Sequence, residues 1–349
     1  ICVSLVYHLP SVAASVVSFI LLYFPVYVWS LHRHGTRNPK DKITAAIKVV
    51  AGLKDEIIAS HSVGRGQLCA QDIEEFRNWK WNDTLDVSAS YLTGVGYEEL
   101  YDMGKRLREK YPNLLNGTDG EYYFRPTNEQ RTIASANAFV HGLTDGTNLN
   151  LSVDSARKRD TVIRAYRSCD KYKNEIIKDP IIDKNYDDYF KSDEFIAKRL
   201  GISTVLTATD VYDMYELCRF SRVWGPTLKS PWCAAFSNQD LVILEYKDDI
   251  RHYYVHGYGS PVNLYEKFQE ASQGKGKKIV SYFTHDTILE MVYCALGMYK
   301  DESPITGSKR DIKRKWRASY ISPKAANLID KFQQFINATM DFCSSDITS

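Results

Sequence analysis

The sequence predicts an α/β protein: an open, mostly parallel sheet flanked by helices, with an inserted, mainly helical cap. Three observations carry that expectation. Short apolar strands at Val26 to Leu31, Tyr122 to Arg125 and Ile279 to Phe283 each run directly into a cluster of polar residues. Segments with helical apolar spacing separate them. Between about residues 150 and 235 the chain turns Asp-, Lys- and Tyr-rich, with helical patches and no convincing strand.

The 349 residues are enough for about two domains and a proper hydrophobic core, which excludes fibrous and disordered classes. Lys and Arg total 45 against 43 Asp and Glu, a net charge of +2, so no whole-surface field for nucleic acid follows. The charge is unevenly spread, because residues 9–31 contain no Asp, Glu, Lys, Arg or His. A span of that length resembles a membrane segment or a secretory apolar region. Pro25 divides it, and the residues after it are β-branched and aromatic like a buried strand. Residues 1–24 are therefore expected to be a targeting remnant or a misassigned end, and no membrane span is expected in the folded core. Residues 25–149 and 236–349 are expected to form a discontinuous α/β catalytic domain, with 150–235 as the cap.

After Pro39, the apolar residues Ile43, Ile47, Val50, Leu53 and Ile57 recur at helical spacing. Leu100, Met103 and Leu107 repeat the pattern over 97–111, fenced by Gly94, Gly96 and Pro112. DEFIAKRLGI and DVYDMYELCRF are helical patches of the cap. RTIASANAFVHGL and TILEMVYCALGM follow the second and third strands as helices.

Compartment signals point outward. Sequons occur at Asn82, Asn116, Asn150 and Asn337. The seven cysteines are dispersed, without a C-x-x-C pair; Cys218 and Cys233 are the first choice for a disulfide, with buried free thiols as the alternative. A secreted or endoplasmic-reticulum location is expected, with membrane association through the N-terminal apolar segment as the alternative.

The first strand feeds His32, Arg33, His34, Gly35, Thr36 and Arg37; the second feeds PTNEQ and Arg131; the third feeds Thr284, His285 and Asp286. Ligands of open α/β sheets bind beyond the carboxyl ends of the strands, so these groups are expected to converge. Arginine's planar fork matches phosphate oxygens, a neutral imidazole can attack phosphorus, and a protonated carboxyl can protonate a departing alkoxide. That set needs no metal or other cofactor, and no metal-ligand spacing is seen. A small polyanionic phosphate ester is the expected partner.

LHRHGTRNP resembles the R-H-G-x-R-x-P signature of histidine acid phosphatases, FRPTNEQRTIASA their phosphate-clamp segment and YFTHDTILE their His-Asp motif. Further stretches, including LTGVGYEELYDMGKRLREKYPNLL and the region from MYELCRF to GYGSPVN, resemble the multiple inositol polyphosphate phosphatases. The resemblance covers about residues 25 to 328. It implies a histidine-phosphatase-like fold and hydrolysis of inositol polyphosphates through a phosphohistidine. It further implies His34 as nucleophile, Arg33, Arg37, Arg131 and His285 as phosphate ligands, and Asp286 as proton donor. A broad-specificity acid phosphatase is the first alternative, because His285-Asp286-Thr287 stands where this branch usually has His-Ala-Glu. An inactive secreted binding protein is the second. Both ends depart from the family, and the expected closing strand is read as giving way after about Leu328.

Other readings follow from the residues themselves. Lys40 and Lys42 are candidates for extra substrate contacts, Arg125 for a structural ion pair, and the basic runs at 156–159 and 309–315 for solvated faces. Thr287 and Glu290 fit a helix capping box.

Overall fold

The computed structural model describes residues 27–178, 193–224, 230–259 and 277–330. The expected targeting segment and Asn337 lie outside these residues. In chain order the main elements are β1 (Val28–Arg33), α1 (Asp41–Ala51), α2 (Lys54–Ser62), α3 (Ala70–Asn78), α4 (Gly94–Lys110), β2 (Tyr122–Pro126) and α5 (Gln130–Thr144). There follow α6 (Asp193–Leu200), α7 (Ala208–Trp224), α8 (Asn238–Val255), β3 (Ile279–Thr284), α9 (Asp286–Ala295), α10 (Ala318–Ile321) and β4 (Asn327–Asp330).

The sheet has the order β2-β3-β1-β4. β1 runs parallel to β3, from Val28 opposite Ile279 to Arg33 opposite Thr284, and β2 runs parallel to β3 on its other side. These strands are buried nearly throughout, as expected of parallel strands covered on both faces. β4 pairs antiparallel with β1, Trp29 opposite Asp330 and His32 opposite Asn327. The strand thus runs to Asp330, two residues past the point where it is expected to give way, and the residues after it lie outside those described.

Two apolar clusters lie against the sheet. One gathers Trp29, Leu31, Val280, Tyr282 and the buried face of α9; the other gathers Val28, Phe124, Phe283, Leu100 and Phe139. A third belongs to the helices, where Ile47, Val50, Ile57 and Phe76 meet Val211, Met214, Leu217 and Trp232. Segments 41–78 and 196–244 thus share one core. Cys218 and Cys233 form a disulfide within it, with Cα atoms 4.8 Å apart. Among the described residues no helix is long and apolar enough to cross a membrane.

Two helix boundaries differ from expectation. The apolar period over 40–61 is carried by α1 and α2, split where Gly52 and Leu53 N–H groups donate three residues back, to Val49 and Val50. α4 begins at Gly94 rather than after Gly96, because the Thr93 side chain caps it by accepting from the Gly96 N–H at 3.1 Å.

His32 is fully buried between Phe139 and Phe283, each ring centroid 4.9 Å away, with Nε2 2.8 Å from Ser30 Oγ. Burial lowers its pKa to about 3. An unfolded chain binds this proton near the ordinary value while the folded chain does not, so the residue removes stability as pH falls through that interval. His32→Phe is expected to flatten the acid side of the stability profile, measured by thermal melts from pH 7 to 4; an unchanged slope would show that His32 does not contribute.

Candidate active site

The in-register ends of β1 and β3 bring Arg33 and His34 beside His285 and Asp286. Arg33 Nη2 lies 2.5 Å from Asp286 Oδ2, and the other terminal nitrogen donates to the Ser322 carbonyl. The His34 and His285 rings sit 5.6 Å apart, edge to face. His34 Nδ1 is 2.8 Å from the Gly35 carbonyl oxygen. A carbonyl only accepts, so this contact puts the proton on Nδ1 and leaves the Nε2 lone pair free. His285 Nε2 is 3.1 Å from Thr127 Oγ1 at the end of β2.

The loop carrying His34 is fixed by close backbone packing. Gly35 N–H donates to Ser135 Oγ on α5 at 3.1 Å, and Glu99 on α4 accepts from the Thr36 N–H and hydroxyl at 2.7 and 2.9 Å. A Cβ at Gly35 would stand 2.2 Å from the Gly96 carbonyl oxygen, and one at Gly96 would stand 2.1 Å from that of Thr36. These glycines let α4 touch the loop.

A cavity of about 380 Å³ opens at this point. Its lining includes Arg33, His34, Arg37, Arg131, His285 and Asp286, so the six residues singled out from the three motifs meet in one place. Lys40 also lines it. Lys42 does not: it is exposed on the first turn of α1, whereas Lys40 is the extended residue that precedes that helix. Arg125 is absent from the lining; it makes a buried ion pair with Asp160, Nη2 to Oδ2 2.6 Å.

Motif reading missed Arg164, Tyr166, Arg167, Tyr172 and Lys173, which line the same cavity. They come from 164–173, the expected cap, where a generally polar composition gave no periodic or motif signal. Arg164 and Arg131 both pair with Glu129. The Nε atoms of Arg33, Arg131 and Arg164 are buried without a hydrogen-bond partner.

Electrostatics follow from this crowding. Burial, then the positive charges of Lys324 and Arg33, hold His34 well below the ordinary histidine pKa. Burial and Arg131 do the same to His285. Arg37 is pulled down to about 10 by burial and by Arg131 and Arg33. Lys324, another residue that motif reading passed over, is lowered strongly by burial, Arg33 and Arg37. Burial pushes the Asp286 carboxyl upward, but Arg33, His252, Lys324 and His256 outweigh it and leave its pKa well below the usual range.

Beneath Asp286, Glu290 is fully buried and its oxygens lie 2.8 to 2.9 Å from His252 Nδ1 and 2.9 Å from His256 Nδ1. The Ser322 hydroxyl also donates to it. The expected Thr287–Glu290 capping box is not formed, because His285 is the cap position of α9 and Glu290 faces these donors instead. His252, His256 and Glu290 form a trio of metal-type donor atoms within 4.8 Å. Their contacts have hydrogen-bond lengths, below the about 3.3 Å separating ligand atoms of a tetrahedral zinc. We read the trio as an ion-pair network: Glu290 is held at about 2 against burial by the two histidines, and His252 is raised to about 9 against burial by Glu290.

An α/β sheet whose strand ends deliver a free imidazole, an arginine clamp and a carboxyl to one cavity defines a phosphoryl-cleaving enzyme of the histidine type. The chain belongs to the histidine phosphatase superfamily (branch 2), whose profile matches residues 26–338. Multiple inositol polyphosphate phosphatase 1 of Drosophila melanogaster is 33% identical over 329 residues, covering 87% of this chain and 70% of that protein. The Homo sapiens protein of the same name is 24% identical over 341 residues, covering 87% and 69%. The fold is similar to the phytase from D. castellii, with a TM-score of 0.67 at 19% identity over 88% of this chain and 69% of the other. It is also similar to the Bifidobacterium longum multiple inositol polyphosphate phosphatase in complex with inositol hexasulfate, with a TM-score of 0.63 at 14% identity over 90% and 85%.

Gly35→Ala forces the His34 loop away from α4. It is expected to cost about 1–3 kcal/mol of stability and to lower kcat/KM more than KM alone explains, by melts and steady-state kinetics. A variant with unchanged stability and activity would show that the close approach is dispensable.

Proposed function

We propose that this phosphatase hydrolyses inositol polyphosphates through a phosphohistidine intermediate. The observation that carries the substrate class is the cavity wall: Arg33, Arg37, Lys40, Arg131, Arg164, Arg167 and Lys173 against a single carboxylate, Asp286. One phosphate group is satisfied by two or three arginines, so this surplus matches an ester with several phosphates. The relatives named for inositol polyphosphates support the same reading.

In this mechanism Arg33, Arg37, Arg131 and His285 hold the phosphate to be transferred. His34 Nε2, neutral through its lowered pKa, attacks phosphorus in line. Asp286 donates a proton to the leaving oxygen. In the ligand-free protein that carboxyl is ionised and paired with Arg33, so it takes up its proton as the dianion draws Arg33 away and raises the basicity of Asp286. Water then releases phosphate from His34. Lys40, Arg164, Arg167 and Lys173 bind the other phosphates. An inactive binding role is disfavoured, since every group this chemistry requires lines the cavity.

A passage through an oxidising compartment to the endoplasmic-reticulum lumen or outside is supported by the Cys218–Cys233 disulfide and by Asn82, Asn116 and Asn150, all exposed.

His34→Ala is expected to lose at least about 10⁴-fold in kcat, and Asp286→Asn about 10²- to 10⁴-fold on alkyl esters. Purified protein releasing no more phosphate than His34→Ala would refute the nucleophile. Replacing both Arg167 and Lys173 by Ala is expected to raise KM for inositol hexakisphosphate about tenfold more than KM for 4-nitrophenyl phosphate. Equal or better kcat/KM for the aryl ester in the unaltered enzyme would favour the broad-specificity reading instead.

A further inference from the structure

The network under Asp286 continues to the acid itself. His256 Nδ1 meets Glu290 Oε2 at 2.9 Å, His256 Nε2 lies 3.4 Å from Thr287 Oγ1, and Thr287 Oγ1 lies 3.5 Å from Asp286 Oδ1. Thr287 also lines the cavity, and its N–H donates to the same Asp286 oxygen at 2.9 Å. Glu290 is fully buried, whereas the His256 side chain keeps 16% of its surface exposed. One end of the chain of contacts is therefore anchored and the middle reaches water.

We propose that His256 and Thr287 form a proton relay that supplies Asp286, with Glu290 holding the His256 ring in place. This rests on Asp286 acting as the acid. As the phosphorus–oxygen bond breaks, its electron pair leaves with the alkoxide oxygen, which takes the proton of Asp286. Thr287 Oγ1 passes its proton to Asp286 Oδ1 and receives one from His256 Nε2. His256 keeps its Nδ1 proton toward Glu290 and is recharged at Nε2 from water. A hydroxyl is suited to the middle position because it donates and accepts at one atom. The two longer contacts are of the kind that tighten when the substrate draws the acid into position.

The groups facing the relay are His252 on α8, which His256 directly follows, Asp286 and Glu290 on α9, Ser322 and Lys324 on the segment before β4, and Tyr172 from the cavity wall. Arg33 links the same parts by pairing with Asp286 and donating to the Ser322 carbonyl. A purely packing role for Thr287 would affect all substrates alike. A relay matters most where the leaving group needs a proton.

Thr287→Val keeps the shape and deletes the hydroxyl; Thr287→Ser keeps the hydroxyl. Both would be assayed with 4-nitrophenyl phosphate, whose leaving group departs as a stable anion, and with glycerol 2-phosphate, whose leaving group does not. Asp286→Asn serves as reference. Thr287→Val is expected to lower kcat for the alkyl ester about tenfold or more while changing the aryl ester less than about twofold, and Thr287→Ser to restore it. His256→Gln is expected to reproduce the same selectivity. If Thr287→Val slows both esters equally, slows neither, or is not rescued by Ser, the relay is overturned. An Asp286→Asn variant without leaving-group selectivity would remove the acid assignment as well, whereas selectivity in that variant but not in Thr287→Val removes the relay alone. Stoichiometric zinc in the purified protein, lost in His256→Gln, would overturn it in favour of a metal site.

Discussion

The ion pair between Arg33 and Asp286 joins the ends of the two central strands, and the site's order depends on it. Parallel pairing in register, with Arg33 opposite Thr284, makes the residues just beyond each strand emerge side by side. His34 and His285 follow from that register, as does the edge-to-face contact of their rings. Arg33 also reaches the Ser322 carbonyl and, through its backbone, that of Ala326. The antiparallel strand β4 and the loop before it are thereby tied to the same point, and the Ala325 N–H closes the arrangement on the His34 carbonyl. A slip of one residue between β1 and β3 would turn these side chains to opposite faces of the sheet.

The site holds an unresolved charge conflict when empty. Arg33, Arg37, Arg131 and Lys324 repel one another and share burial, which is why Arg37 and Lys324 are both pushed down. The same field keeps both histidines neutral. A phosphate dianion would offset the clustered positive charges and compete with Asp286 for Arg33. Donors already fixed around the cavity need little reorganisation when charge shifts toward the leaving oxygen, which is where such preorganisation gains its catalytic effect. The protein's net charge of +2 confirms that this attraction is local.

Much of the chemical centre was legible because strand ends and short polar motifs are adjacent in sequence: Arg33, His34 and Arg37 lie within five residues, and His285 and Asp286 directly follow a strand. What sequence could not give was contact across long separations. Arg164 and Arg167 stand in a stretch of mixed polar residues, and nothing in their local pattern says that they meet Arg131 through Glu129 and the cavity wall. Glu290 fitted a local capping rule, yet tertiary partners on α8 claimed it. Lys42 is of the same residue type as Lys40, but it stands inside α1 and outside the cavity lining, while Lys40 precedes the helix and lines the cavity. The closing strand runs two residues past Leu328, where the side-chain pattern reads as breaking off, because β pairing is made by backbone groups that carry no signature in the side chains.

The division between sheet and added segments also divides the labour of the enzyme. The groups proposed to hold the transferred phosphate come from the ends of β1 and β3 and the start of α5, where regular structure fixes position to within the tolerance of a reacting centre. The groups proposed to meet the rest of the ester are Lys40, just before α1, and Arg164, Arg167 and Lys173, whose segment also buries Ala165, Tyr166 and Tyr172 in the core against Trp29 and Tyr282. Arg37 bridges the two, since its guanidinium lies 6.0 Å from the Phe220 ring of the helical lobe while belonging to the clamp. On the proposed mechanism, substrate range would be set by the 164–173 segment and the loop after β1, and the bond-breaking step by the strand ends. His285-Asp286-Thr287, at the start of α9, would then govern the source of the proton separately from the groups proposed to bind the other phosphates.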